Sequence, residues 1–504
     1  MNRYVPLAVW IIVISAIILI PLKIFSYGFL PMDDALRHAA KTISGKSWEQ
    51  ILVMRADFTI DPSPGWQKIL EWVHDLRGGD AQSLVVFSFV SLMILVMICG
   101  APWFRRPEAW LAALCAASIF IPQCTTRFAR GRPYILTDAI LITILFLWSR
   151  QDASSGLAKK VTLLNRVGAA SRGRFISAMV CTTLLAAASA WIHGAWYLLA
   201  LPGVAVLLTG LWREAIVYWI CWLVGSFLGS ALTGHPIGFL AQEVRHALVA
   251  FGNFAVNRQL EPEWYPSDGS VPAILAVAAL LLWRKMSGAW NVRAILNPMF
   301  MMMALGWLLG LHTRRFWWDF GTPAFIAWVA LELQEHFARE SALDSFVRLV
   351  ATLAIAAGAY WGFTSDRQSR WTQNLSTDFV SPATPGIAGW LPGPGGIIYN
   401  SDMDVFYTTF FKNPTADWRY VLGFEPGLMR PEDLKVFRKY QLNFGDPRAL
   451  EPWVDKMRPP DRMFIAAPAS SRPDLPRLQW YYAATELWIG RLPPAGENPA
   501  VPQK

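Results

Sequence analysis

The sequence predicts a multi-pass α-helical membrane protein of about eleven transmembrane helices followed by a C-terminal extracytoplasmic α/β domain. Three observations lead there. Of 504 residues, 54% are hydrophobic, only 16% are charged and 26 are Trp, a composition too apolar and too aromatic for a soluble chain. The apolar residues fall in long runs separated by short basic loops. After the last run a Pro/Gly-rich stretch, SPATPGIAGWLPGPGG, opens a polar tail. The net charge of +9 does not imply nucleic acid as a partner, because the basic residues sit mainly in the short loops, where they orient a membrane protein. Cys99, Cys115, Cys124, Cys181 and Cys221 lie in or beside apolar segments without metal-ligand spacing, which argues against disulfides and zinc–thiolate sites.

A span needs roughly 20 apolar residues, fewer where neighbouring helices shelter it. The candidates run from Val5 to Phe25, Leu84 to Phe104, Ala109 to Pro122, Tyr134 to Trp148, Ile176 to Ile192, Tyr197 to Leu211, Ala215 to Leu232, Val271 to Trp283, Met299 to Leu311, Thr322 to Leu333 and Phe346 to Phe363. Basic residues follow the second span (Arg105, Arg106), the fourth (Arg150, Lys159, Lys160, Arg166, Arg172, Arg174) and the eighth (Arg284, Lys285, Arg293), which assigns that side as cytoplasmic. The N-terminus is then cytoplasmic, and an odd number of spans delivers the tail to the opposite face. The first run has almost no basic residues beyond Arg3 and no small-residue cleavage pattern before Pro31, so it reads as a retained anchor. Three segments face outward: Ser26 to Ser83, His235 to Ser270 and Thr364 to Lys504.

The first of these carries adjacent carboxylates, Asp33 and Asp34, in PMDDALRHAAKTISGKSW. Leu36, Ala39, Ala40 and Ile43 share one helical face while Arg37, His38 and Lys41 lie elsewhere, the pattern of an interfacial helix on the bilayer. One Asp suffices to cap a helix, so the second calls for another explanation. Paired carboxylates at a membrane mouth suit proton transfer. Downstream, DFTIDPSPGWQKILEWVHDL offers Asp57, Asp61, Trp66 and His74, either for a sugar or lipid site or as a turn before a helix.

Clustered positive charge is disfavoured on the outward face, yet RFARGRPYILTDAIL places Arg127, Arg130 and Arg132, followed by Tyr134, at the outer start of the fourth span. HTRRFWWDFGTP adds His312, Arg314 and Arg315 at the outer end of the ninth. Arginine suits phosphate because its planar fork donates paired hydrogen bonds and keeps its charge. The competing reading has these arginines snorkel to phospholipid headgroups or pair with Asp138 and Asp319. Trp191, Trp196, Trp264, Tyr265, Trp317 and Trp318 lie near outer span ends, where an interfacial belt accounts for most of them. The outward histidines, His193, His235, His246 and His312, lack i,i+4 pairing, so no metal cage is predicted. In the tail, GGIIYN, WRYVLGF, RMFIAAP and ELWIGRL read as strands and DMDVFYTTFF and RPEDLKVFRKY as helices, without a GxGxxG or P-loop fingerprint.

The outward pair in MDDALRHA, the segment ARGRPYILTDAILITILFL, the late TRRFWWDFGTPAFIAWVAL and an extracytoplasmic tail domain together resemble the GT-C superfamily of integral-membrane glycosyltransferases, among them the protein O-mannosyltransferases and the aminoarabinose transferases of lipid A. Where several members carry Asp-Glu, this chain carries Asp-Asp. The resemblance implies sugar transfer on the outer face of a bacterial inner (plasma) membrane, from a polyprenyl-phosphate-sugar donor to a glycan, lipid or protein acceptor. Asp33 or Asp34 is then the catalytic base, and Arg37, His38, Arg127, Arg130, Arg132, Tyr134, His312, Arg314 and Arg315 form the substrate-binding set. No cofactor is assigned, and a divalent cation is left open. The expected division is a transmembrane catalytic domain over 1–363, a linker over 364–395 and a periplasmic or extracellular α/β domain over 396–504. Two other readings stand beside this one: a transporter or flippase for a lipid-linked or anionic solute, disfavoured by span centres almost free of charge and by the absence of an inverted repeat, and a non-catalytic assembly subunit.

Overall fold

Each apolar run of the sequence is helical in the computed structural model, which describes residues 4–149, 169–252, 262–339, 345–375, 377, 379–484 and 486–494. The chain opens with α1 (Val5–Ser26), followed by α2 (Asp34–Ser44), α3 (Trp48–Ile51), α4 (Pro64–Arg77) and α5 (Ala81–Ile98). Next come α6 (Pro107–Phe120), α7 (Gln123–Phe128), α8 (Tyr134–Trp148), α9 (Ala169–His193), α10 (Leu201–Leu208), α11 (Trp212–Ala231) and α12 (Pro236–Gly252). The helical part ends with α13 (Val271–Met286), α14 (Pro298–Gly310), α15 (Thr322–Arg339) and α16 (Ser345–Thr364). Arg3, Arg150, Lys159, Lys160 and Arg166, which enter the orientation argument, lie outside the described residues.

Five helical segments, Val5–Ser26, Ala81–Trp103, Gly173–His193, Trp212–Ala231 and Ser345–Thr364, are long and apolar enough to cross a membrane. Fewer segments reach crossing length than the sequence suggests. The others are short: α8, with 15 residues, is about 22 Å long, less than a hydrocarbon core of roughly 30 Å. It is buried on almost every face, so neighbouring helices and not lipid surround it. By contrast α1 buries Val9, Val13, Ile17, Ile20 and Ile24 against the bundle and exposes Leu7, Ile11, Leu19 and Leu22, as a lipid-facing rim helix does. It packs on α5 and α16.

The polar tail forms a five-stranded mixed sheet of β1 (Gly396–Asn400), β2 (Trp418–Tyr420), β3 (Arg462–Ala466), β4 (Gln479–Ala484) and β5 (Leu487–Arg491), in the order β2-β1-β3-β5-β4. β1 runs parallel to β2 and β3, with Ile398 opposite both Tyr420 and Arg462, while β5 pairs antiparallel with β3 and β4. The parallel strands are linked through α17 (Met403–Lys412) and α18 (Pro431–Leu442), the crossovers such pairing requires. At the start of β1 a side chain on Gly396 would come within 2.5 Å of the Pro460 carbonyl, so only glycine fits.

The segment between α3 and α4 fastens this sheet to the helical part. The Val53 amide donates to the Tyr420 carbonyl (2.8 Å) and the Arg55 amide to the Leu428 carbonyl (3.0 Å), so residues 52–55 extend the sheet beyond β2. A second fastening comes from α12, where His246 pairs with Glu425 of the tail. Glu425 pushes His246 up to about 9, which keeps the pair ionic at neutral pH. These contacts correct the expectation for α2. Residues Ala35, Leu36, Arg37, His38, Ala39 and Ala40 are all buried, and α2 lies between α4, α5 and α17 instead of on the bilayer surface.

Candidate functional site

The amino end of α2 positions both carboxylates. Asp33 occupies the N-cap and Asp34 the first helical position, yet Asp33 makes no side-chain capping bond. Capping therefore does not account for the pair. Both carboxylates turn toward Arg132, whose Nε lies 3.1 Å from Asp33 Oδ2 and 3.6 Å from Asp34 Oδ2. Arg130 Nε is 3.8 Å from Asp33 Oδ2.

Their surroundings then diverge. Asp34 Oδ1 accepts a 2.6 Å bond from Arg37 Nε, one turn along the same helix, and a 3.2 Å bond from the Tyr407 hydroxyl of α17. Arg37 in turn stacks on Phe424, 3.9 Å from the ring centre. Burial alone would raise the Asp34 carboxyl, but Arg37 and Arg132 outweigh it and hold the group well below the usual carboxylate range. Asp33 keeps one oxygen, Oδ1, buried and without a hydrogen-bond partner among the described residues. The first turn of α17 also brings Asp404 toward this end of α2; burial, then Asp402 and Asp33, push it up to about 7.

Besides Arg37, four of the five other predicted arginines converge beside the pair. Arg127 grips Asp319 with two parallel bonds, Nε to Oδ1 and Nη2 to Oδ2, each 2.9 Å. Its guanidinium lies over the Tyr134 ring at 4.1 Å, and its carbonyl accepts from the Tyr134 hydroxyl at 2.9 Å, so Tyr134 seats this arginine. Arg315 Nε is 3.2 Å from Asp319 Oδ2. The hub of the cluster is Glu263: its Oε1 accepts from Arg127, from Arg130 at 3.0 Å and from Arg132 at 3.3 Å, and its Oε2 is 3.9 Å from Arg315. Burial opposes ionisation of Glu263, but the arginines hold it well below the usual range.

The remaining predicted residues sit elsewhere. Arg314 lies over Tyr265 (5.3 Å) and Trp318 (5.5 Å), reaches the Pro266 carbonyl at 3.4 Å and has no ion pair among the described residues. The described hydrogen bond of His312 is to Thr313 Oγ1, 3.2 Å away. His38 is fully buried, and among the described residues neither ring nitrogen has a hydrogen-bond partner; burial, reinforced by Arg37, lowers it to about 3, so it is a neutral interior group. Among the described residues, no three His, Cys, Asp or Glu side chains are arranged to hold a metal ion.

Glu263, Tyr407, Phe424 and Asp404 were not legible as site residues. Glu263 belongs to a single turn, Pro262–Trp264, and only the surplus of clustered arginines in the sequence signals that acids should meet them. Tyr407 and Phe424 are apolar-face residues of the tail domain, with no sequence mark distinguishing them from its core.

No protein-family model matches the chain, and no curated protein matches it either. Among solved structures, the crystal structure of ArnT from Cupriavidus metallidurans in the apo state matches with a TM-score of 0.50 and 14% sequence identity, over 95% of this chain and 97% of that one. Over nearly its whole length the chain thus has a fold similar to that of ArnT.

Proposed function

We propose that this protein is a membrane glycosyltransferase that moves a sugar from a polyprenyl-phosphate donor to an acceptor hydroxyl on the extracytoplasmic face, by a single inverting displacement. One observation carries the reading: a carboxylate with an unengaged oxygen, Asp33 Oδ1, stands beside a cluster of arginines suited to a phosphate. The ArnT-like fold supports the same reading.

In this mechanism the acceptor oxygen attacks the anomeric carbon as the bond from that carbon to the phosphate oxygen breaks. Asp33 Oδ1 takes the proton of the acceptor hydroxyl. The proton moves late, after the attacking oxygen has become acidic. The negative charge gathering on the departing lipid phosphate meets Arg130, Arg132 and Arg315. Because that phosphate leaves as a stable anion, no separate acid is needed, unlike the paired roles in glycoside hydrolysis. Asp34, engaged by Arg37 and Tyr407, holds Arg132 and the start of α2 in place. The tail domain, through Tyr407 and Phe424, closes one wall of the site.

The reading requires the site and the tail to be extracytoplasmic. Protease added to intact spheroplasts is expected to cut loops of the tail beyond residue 396 and to spare the basic segment 150–174; the reverse pattern would refute this orientation. The activity itself is tested with the full chain in lipid nanodiscs and a panel of polyprenyl-phosphate sugars, following release of polyprenyl phosphate by mass spectrometry in the presence of lipid, glycan and peptide acceptors. Release with at least one donor, with the sugar recovered on an acceptor, is the expected result. A folded protein inert toward the whole panel would count against the proposal.

A further inference from the structure

The two acids that hold the arginine cluster do so differently. Asp319 lies on the helical turn Trp317–Gly321, which continues directly into α15, and it binds Arg127 through two parallel 2.9 Å bonds, the fork geometry of a permanent pair. Glu263 is carried by the short turn Pro262–Trp264 outside any long helix. Its Oε1 is shared by three guanidinium groups, those of Arg127, Arg130 and Arg132, although a carboxylate oxygen has only about two lone-pair sites. Among the described residues, its Oε2 has only the long 3.9 Å contact with Arg315. One oxygen is oversubscribed and the other is nearly idle. A phosphate, with several free oxygens in a tetrahedral arrangement, would distribute the same donors better. Arg130 and Arg315 remain 34% and 35% exposed, so an anion can reach them from outside.

We propose that Glu263 is a resident anion that occupies the phosphate subsite of the arginine cluster and is displaced when the lipid-linked donor binds, an inference that rests on the glycosyltransferase reading. Exchanging a carboxylate for a phosphodiester replaces one negative charge by one, so the buried charge balance of the cluster is unchanged on donor binding. After transfer, the departing phosphate monoester carries up to about two negative charges near neutral pH and binds the cations more strongly. Return of Glu263 to the cluster then competes with the product and promotes its release. Arg127, anchored by Asp319, stays in place through this exchange, whereas Arg130, Arg132 and Arg315 change partner.

The test uses the full chain in nanodiscs with two probes, polyprenyl monophosphate and inorganic pyrophosphate. Glu263→Gln keeps the size of the side chain and removes its charge, so it is expected to bind each probe at least about tenfold more tightly than wild type, the factor one charge contact in a half-buried site carries. Equal or weaker binding of both probes by folded Glu263→Gln would identify Glu263 as fixed scaffold and overturn the proposal. A gain for pyrophosphate with none for the lipid phosphate would keep Glu263 as the resident anion while removing the lipid-linked donor. Hydrogen exchange of the Pro262–Trp264 turn in the wild-type protein gives a second reading that does not depend on the variant folding. Faster exchange on adding polyprenyl monophosphate is expected; unchanged exchange at saturation would mean Glu263 is not displaced.

Discussion

Asp33→Asn is expected to lower the transfer rate by about two orders of magnitude or more, the scale of removing a general base. The substitution preserves size, and Asn still caps a helix, so the loss reads chemistry and not folding. Asp34→Asn should behave differently. Asp34 is the ionic partner of Arg37, which is only 5% exposed, and removing one member of such a pair leaves a buried cation uncompensated. Its principal effect should be a lower melting temperature, with a smaller loss of turnover that follows the loosening of Arg132. The measurement is the initial rate of polyprenyl phosphate release at saturating donor, taken beside thermal unfolding in the same nanodiscs. Full activity in Asp33→Asn would remove it as the base. A silent Asp33→Asn together with an inactive but stable Asp34→Asn would exchange the two roles.

The parts of this molecule legible in the sequence are those set by local patterning. Apolar runs longer than a few helical turns became helices because nothing but a helix satisfies their backbone in an apolar surrounding. Which runs are long enough to cross was less legible, since sheltering of α8 by its neighbours depends on packing that no window of sequence contains. The strands at Gly396, Trp418, Arg462 and Leu487 were visible from alternation and β-branched content, whereas β4, QWYYAA, is an aromatic run with neither alternation nor a β-branched residue and was missed. The amphipathic pattern of α2 reads as an interfacial helix on the bilayer, and that expectation fails because sequence cannot say what covers an apolar face. Here α17 of the tail does, hundreds of residues away. For the same reason the arginines were legible as clusters in RFARGRPY and HTRRF, while Glu263 and Tyr407, which join the site only through tertiary contact, were not. Arg314 and Arg315 are neighbours in sequence, and helical geometry sends the second to Asp319 and the first to Tyr265 and Trp318.

Arg132→Lys separates charge from geometry at the centre of the site. Arg132 touches three acids at once, with Nε 3.1 Å from Asp33 and 3.6 Å from Asp34 and Nη1 3.3 Å from Glu263. Only a guanidinium presents donors along separate edges of one rigid plane, so lysine keeps the positive charge but cannot reach these acids in the same paired geometry. Two consequences follow from one substitution. Asp33 loses the contact that aims its free oxygen, and the leaving phosphate loses a paired donor. The expected result is a fall in kcat/KM of about tenfold to a hundredfold for the polyprenyl-phosphate donor, seen in kcat as well as in KM because the phosphate charge grows in the transition state. Arg314→Lys is the matched comparison: equally outward, equally charged, but stacked on aromatic rings and outside the ion-pair cluster, it should change kcat/KM by less than about threefold, as expected for a residue making no contact specific to the transition state. Were the two lysine variants to lose activity equally, the effect would lie in general outward charge and not in the geometry that joins Arg132 to Asp33.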